Sequence, residues 1–155
     1  MKFGQAIDSA LFKNYFNLEG EATRSEYWWF VLFYIIFSLL AGIIVGLVLG
    51  ITLGEDLNSD TFNLYYTLGI LALFMLPLLG LSVRRFADAG RGRREAIVVF
   101  VLATISGLIV PTEDAIIPVA EFLIMPAWLV FGASSLYTIY IALKKTSISN
   151  SLHTV

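Results

Sequence analysis

Three stretches of this chain, 27–53, 61–83 and 122–143, each continue for more than 20 residues without a charged side chain. Wound as helices rising ~1.5 Å per residue, runs of that length cross the ~30 Å hydrocarbon core of a bilayer. The composition agrees: hydrophobic residues make up 58% and charged residues 14%, against roughly 45–50% and about 25% in an ordinary globular protein. The expected class is an all-α membrane protein, organised as one membrane domain over residues 1–155.

A fourth apolar stretch, 96–110, has only 15 residues, which gives about 22 Å of helix. It crosses if Arg93 and Arg94 snorkel at one end and the segment through Ile117 extends the other, or if the bilayer thins locally. A re-entrant hairpin is the competing arrangement. Charge placement decides between them. All ten basic residues fall in the N-terminal segment (Lys2, Lys13, Arg24), the second connection (Arg84, Arg85, Arg91, Arg93, Arg94) and the tail (Lys144, Lys145). The other connections, "GEDLNSD" and "PTEDAIIPVAE", carry only acidic charges. Positive loops stay cytoplasmic, so this alternation predicts a four-transmembrane-helix antiparallel bundle, N-in/C-in. A re-entrant third segment would put Lys144 and Lys145 outside.

No cleavable signal peptide is expected, because residues 1–16 alternate polar and apolar side chains instead of building an apolar core before a small-residue cleavage site. In that segment Phe3, Ile7, Leu11 and Tyr15 recur every four residues, with Ala6 and Ala10 beside them. The period predicts an N-terminal amphipathic interfacial helix over about 3–16; it also fits a short helix packed on the cytoplasmic loops. At the other end, residues 146–155 form a polar tail holding the only histidine, His153, which is expected to be solvated.

Reactive side chains are scarce. Cysteine is absent, which excludes disulfides, thiolate chemistry and cysteine-based metal sites. With no histidine in the spans and no clustered carboxylate pair, hydrolysis and group transfer lack an obvious base or nucleophile. The chain is therefore expected to be non-enzymatic, and no metal or cofactor is implied. Intramembrane ionisable residues mark ion routes, and the four runs contain none. The nearest is Glu121, read as an outer-interface carboxylate. Pro77 and Pro126 can kink their helices and free carbonyl groups.

Three motifs remain. In "GEATRSEYWWF", residues 20–30, Thr23 and Glu26 stand at capping-box spacing, and Tyr27, Trp28 and Trp29 form an aromatic belt at the membrane surface. Within the first span, Ser38, Gly42, Gly46, Gly50 and Gly54 recur every four residues. Small residues so spaced let another backbone approach closely, which predicts a helix-packing seam, toward another span of the chain or toward a second copy.

The third motif, "VRRFADAGRGRR" at 83–94, is not a phosphate loop: Glu95 stands where a GxGxxG pattern needs its last glycine, and a membrane span precedes it. Nucleic-acid binding is also excluded, since the motif is a short connection pressed against a bilayer and not a basic domain face with stacking aromatics. Basic residues at that level attract anionic lipid by about 1 kcal/mol each. Arg91, Arg93 and Arg94 are thus the expected contacts to lipid or to a partner.

The first and third motifs together resemble the bacterial inner-membrane family named domain of unknown function 805, with "GRxSRxEFWWF" before the first span and "RRLHDxGRSGWW" between the second and third. Matching positions are Gly20, Arg24, Glu26, Trp28, Trp29 and Phe30, then Arg84, Arg85, Asp88, Gly90 and Arg91. The family's histidine is Ala87 here, its "SGW" is Gly92-Arg93-Arg94, and its first-motif arginine is Glu21. The resemblance implies a four-span inner-membrane protein and brings no established activity.

With both motifs on one side, Arg24 and Glu26 open the first span where Arg84, Arg85 and Asp88 leave the second. Adjacent antiparallel spans bring these ends together, predicting a cytoplasmic ion-pair cluster: Arg24 with Asp88, and Glu26 with Arg84 or Arg85. The functional expectation is a small integral inner-membrane protein acting by contact with itself, a membrane partner or anionic lipid. The alternative is an oligomeric small-solute channel or transporter built along the glycine seam.

Overall fold

The computed structural model describes residues 1–53, 60–109 and 124–145, and every regular element in them is helical. Helix α1 (Phe3–Asp8) continues into a π-helical turn (Ser9–Lys13). Four longer helices follow among the described residues: α2 (Arg24–Leu53), α3 (Asp60–Asp88), α4 (Arg93–Ile109) and α5 (Ile124–Leu143). Of these, α2, α3 and α5 are long and apolar enough to cross a membrane. Helix α4 has 17 residues, or about 25 Å. Gly54, Glu121, His153 and, apart from Asp60, the acidic connections lie outside the described residues.

The helices begin and end where local chemistry says they should. Thr23 caps α2: its hydroxyl accepts the backbone N–H of Glu26 at 3.2 Å and its carbonyl accepts that of Tyr27 at 3.1 Å, satisfying donors that have no intrahelical partner. Helix α3 runs on past its apolar part through Arg84 and Arg85, so these arginines are helical and the turn to α4 is only four residues long, 89–92. It stops at Gly90, whose φ of 75° is left-handed. There Arg91 N–H reaches the Phe86 carbonyl at 2.8 Å and Gly90 N–H that of Ala87 at 3.0 Å, the paired bonds of a Schellman ending.

Consecutive helices pack antiparallel. At one end of the α2–α3 pair Glu26 meets Arg84. Midway, Phe74 is enclosed by Phe30, Phe33, Tyr34 and Phe37, with ring centroids 6.3, 6.1, 5.2 and 5.2 Å away. Further along, the Tyr66 hydroxyl donates to the Ser38 carbonyl. The α4–α5 pair runs from Glu95, which accepts the Tyr137 hydroxyl, to Gly107, where an added Cβ would lie 3.3 Å from the Phe131 ring. Two buried clusters, one around Phe30, Phe74 and Leu81 and the other around Val83, Phe86 and Ile141, both sit toward the end marked by Arg84 and Arg85. Along α2 beyond them, Leu39, Ile43, Leu47 and Ile51 are exposed, as lipid-facing side chains should be.

The N-terminal segment departs from its sequence pattern. The buried face is Ala6, Ser9 and Ala10; Phe3 is exposed and Ile7, Leu11 and Tyr15 are only partly covered. From Ser9 onward the π turn adds to the departure: its Asn14 N–H to Ser9 carbonyl bond of 2.8 Å fits an extra residue into the turn, rotating the residues after it and ending the helix at Lys13. Small side chains then let the segment lie directly on α2 and α3. An added Cβ on Gly80 would come within 3.2 Å of the Asn17 carbonyl oxygen, and the Tyr15 hydroxyl reaches the Leu73 carbonyl at 3.2 Å.

Candidate functional site

Helix α2 starts, α3 ends, α4 starts and α5 ends at one end of the bundle, and there the chain concentrates its buried charge. Glu26, Arg84, Arg85 and Asp88 are 5, 3, 0 and 2% exposed. A charge so far from water costs several kcal/mol unless paired and hydrogen-bonded, so the partners of each matter.

Glu26 Oε1 accepts two donors, the Ser9 hydroxyl at 2.8 Å and Arg84 Nη1 at 3.3 Å. The Asn14 amide in turn donates to Ser9 Oγ at 3.0 Å, so the π turn is part of the site. Arg84 also donates from Nε to the Gly80 carbonyl at 3.4 Å, and its Nη2 is buried with no partner among the described residues. The backbone joins in: Ala22 N–H reaches the Arg84 carbonyl at 3.2 Å. Capping-box spacing offers the Glu26 carboxylate the Thr23 backbone N–H; it turns instead to Arg84, because in a dry setting a guanidinium neutralises its charge and a peptide N–H does not.

Arg85 has a different set of partners. Nη1 pairs with Asp88 three residues on. Its other donors go to the end of α5: Nε to the Ala142 carbonyl and Nη2 to that of Ile141, both at 3.3 Å, and Nη2 also to that of Lys144. Arg24 Nη1 donates to the Leu143 carbonyl at 3.3 Å. The last turn of a helix has carbonyls without intrahelical donors and a partial negative charge; two arginines from two other helices satisfy both. Charge matching sets Arg24 against Asp88, whereas Arg85 binds Asp88 and Arg24 takes a backbone oxygen of α5. Lys144 links α5 back to α3, its Nζ donating to the Ala89 carbonyl at 3.2 Å.

The remaining arginines face outward. Arg91, Arg93 and Arg94 are exposed, and Arg91 lies 3.9 Å from Glu95. In the glycine series, an added Cβ on Gly42 would touch the Tyr66 ring at 3.4 Å. Gly46 is buried and Gly50 partly so. At Ser38 and Gly42 the seam is thus occupied by α3 of the same chain.

Sequence reasoning missed Ser9, the α5 carbonyls and Phe74. Only the last left a signal: Phe30, Phe33, Tyr34 and Phe37 fall at i, i+3, i+4 and i+7, one helix face.

Among comparisons with known proteins, residues 15–147 match the family model described as "Protein of unknown function (DUF805)". No curated protein and no solved structure matches the chain.

Proposed function

The chain belongs to the DUF805 family, proteins of unknown function, and from that premise we propose that it is a small, non-enzymatic integral protein of the bacterial inner membrane that works by contact. The contact surface is the exposed turn bearing Arg91, Arg93 and Arg94, and its first ligand is anionic lipid. The observation that carries this reading is the division of the cations. Arg84 and Arg85 are buried and committed to Glu26, Asp88 and backbone carbonyls, while Arg91, Arg93 and Arg94 stand exposed on the same end.

Four spans with both termini in the cytoplasm complete the proposal. Support comes from parity: α3 and α5 both end at the arginine cluster and α4 starts there too, an arrangement that suits one crossing away and one back. The basic residues at that end favour its placement in the cytoplasm.

The channel alternative draws less support. The open crevice of about 280 Å³ among α2, α3, α4 and α5 is lined by apolar side chains such as Ile70, Phe74 and Phe131, with Thr104 among the few polar ones. Its hydroxyl already donates to the Phe100 carbonyl at 2.9 Å. Reconstitution into vesicles tests both. The contact reading expects solute flux no greater than that of empty vesicles, together with enrichment of anionic lipid around the protein that falls when Arg91, Arg93 and Arg94 are replaced by glutamine. Clear flux, or enrichment indifferent to the three arginines, would overturn it.

A further inference from the structure

At the same end of the bundle, the start of α2 and the end of α5 enclose an open groove of about 540 Å³, lined by Arg24, Ser25, Trp28, Trp29, Leu32 and Leu143. That volume lies within the ~300–1,000 Å³ of small-ligand sites. Its polarity is graded along the helix axis. At the mouth stands exposed Arg24, with exposed Lys145 two residues beyond Leu143. Next come Trp28 and Trp29, also exposed; Leu32, two turns from Arg24, closes the apolar end.

We infer that this groove binds one diacyl phospholipid with an anionic headgroup. The inference rests on the membrane placement proposed above but concerns different residues from the exposed turn. Arg24 carries five donors, one of which is placed on the Leu143 carbonyl. That bond fixes the planar guanidinium at the mouth, where it presents a fork matched to phosphate oxygens. Lys145, exposed two residues beyond Leu143, adds a second cation to this end of the bundle. Tryptophans belong at the headgroup boundary because one edge is polar and the body is apolar, and an acyl chain lying along Trp28, Leu32 and Leu143 covers their exposed faces. Charge complementarity selects this occupant. An apolar partner helix would bury Arg24 without a counter-charge, and a zwitterionic lipid would set its own cation against two more.

The test uses the full-length protein in nanodiscs of equal phosphatidylglycerol and phosphatidylcholine, extracted into lipid-free detergent, with retained lipid counted by native mass spectrometry. One phosphatidylglycerol is expected on the wild type. Its occupancy should fall about tenfold or more in Arg24→Gln, the cost of a lost charge-assisted contact, and similarly in Leu143→Trp. The second variant keeps Arg24 and the 143 carbonyl and fills the groove from an exposed position, so it tests the site without touching the buried cluster. Replacing Arg91, Arg93 and Arg94 by glutamine should leave this single lipid in place while lowering bulk enrichment. An unchanged bound lipid in either groove variant, or phosphatidylcholine held as firmly, overturns the inference; loss confined to the triple variant does so too, and leaves the exposed-turn reading intact. Bulk enrichment that survives the triple variant counts against the turn alone.

Discussion

The hydroxyl of Tyr15 lies 3.2 Å from the carbonyl oxygen of Leu73, an acceptor left without its intrahelical donor because residue 77, four positions on, is a proline. Proline has no N–H to give, and in a bilayer water does not replace it. The N-terminal segment therefore repairs a gap in α3.

Tyr15→Phe should destabilise the protein by about 1–3 kcal/mol, the cost of an unmet polar group. In a Pro77→Ala background, where the backbone amide returns, that cost should shrink to a few tenths on the same scale. A double-mutant cycle of unfolding in mixed micelles measures it. Equal costs in both backgrounds would show that Tyr15 acts through something other than the Leu73 carbonyl.

Removing one member of the Glu26–Arg84 pair strands the other in a dry site. Arg84→Met should cost about 3–5 kcal/mol, as breaking a buried pair does, and adding Glu26→Leu should recover much of it, because two apolar side chains need no partners. Thermal unfolding of the single and double variants decides this. A double variant no better than Arg84→Met would mean that Arg84 contributes by packing and not by charge.

Arg85 and Lys144 cap each other's helices: the guanidinium donates to the Lys144 carbonyl, and the Lys144 ammonium donates to that of Ala89. Arg85→Lys keeps the charge but replaces a planar fork by a point donor. One ammonium does not span Asp88 and three backbone oxygens, so the last turn of α5 should exchange its amide hydrogens faster by about tenfold, one lost hydrogen bond's worth. Protection unchanged at 141–144 would count against the capping role.

Gly90 closes α3 at a φ of 75°. A Cβ in that conformation costs roughly 1–2 kcal/mol, so Gly90→Ala should lower the midpoint of unfolding, whereas Gly92→Ala, where an added Cβ meets nothing within 4 Å, should be nearly silent. Parallel melting curves make the comparison; equal shifts would remove the Schellman ending from the account.

The three helices long and apolar enough to cross a membrane, and the shared end of the two arginine motifs, were legible because both depend only on where charge is absent or clustered. Helix rotation was not legible. In a soluble helix the apolar stripe reveals the buried face, but in a span lipid and core are equally apolar, so hydropathy does not separate Phe33, turned to Phe74, from Leu39, turned outward; only the shared aromatic face of Phe30, Phe33, Tyr34 and Phe37 marks that side. The same limit governs the cluster. Arg84 and Arg85 point about 100° apart on a helix of 3.6 residues per turn, and which one meets Glu26 depends on where α1 and α5 settle. Arg24 is the clearest case, since its acceptor is a main-chain oxygen, and main-chain oxygens are invisible to any matching of charges. The π turn that brings Ser9 to Glu26 likewise breaks the four-residue period of the first 16 residues.

The contacts of Arg85 also impose an order on biosynthesis. Its acceptors on α5 are residues 141, 142 and 144, made 56 to 59 positions later than the arginine itself, whereas Asp88 emerges almost with it. While the ribosome is still translating the chain, the cluster holds one of its two sets of partners. Its completion therefore waits for α5, which makes the end of α3 a register of whether that helix has arrived.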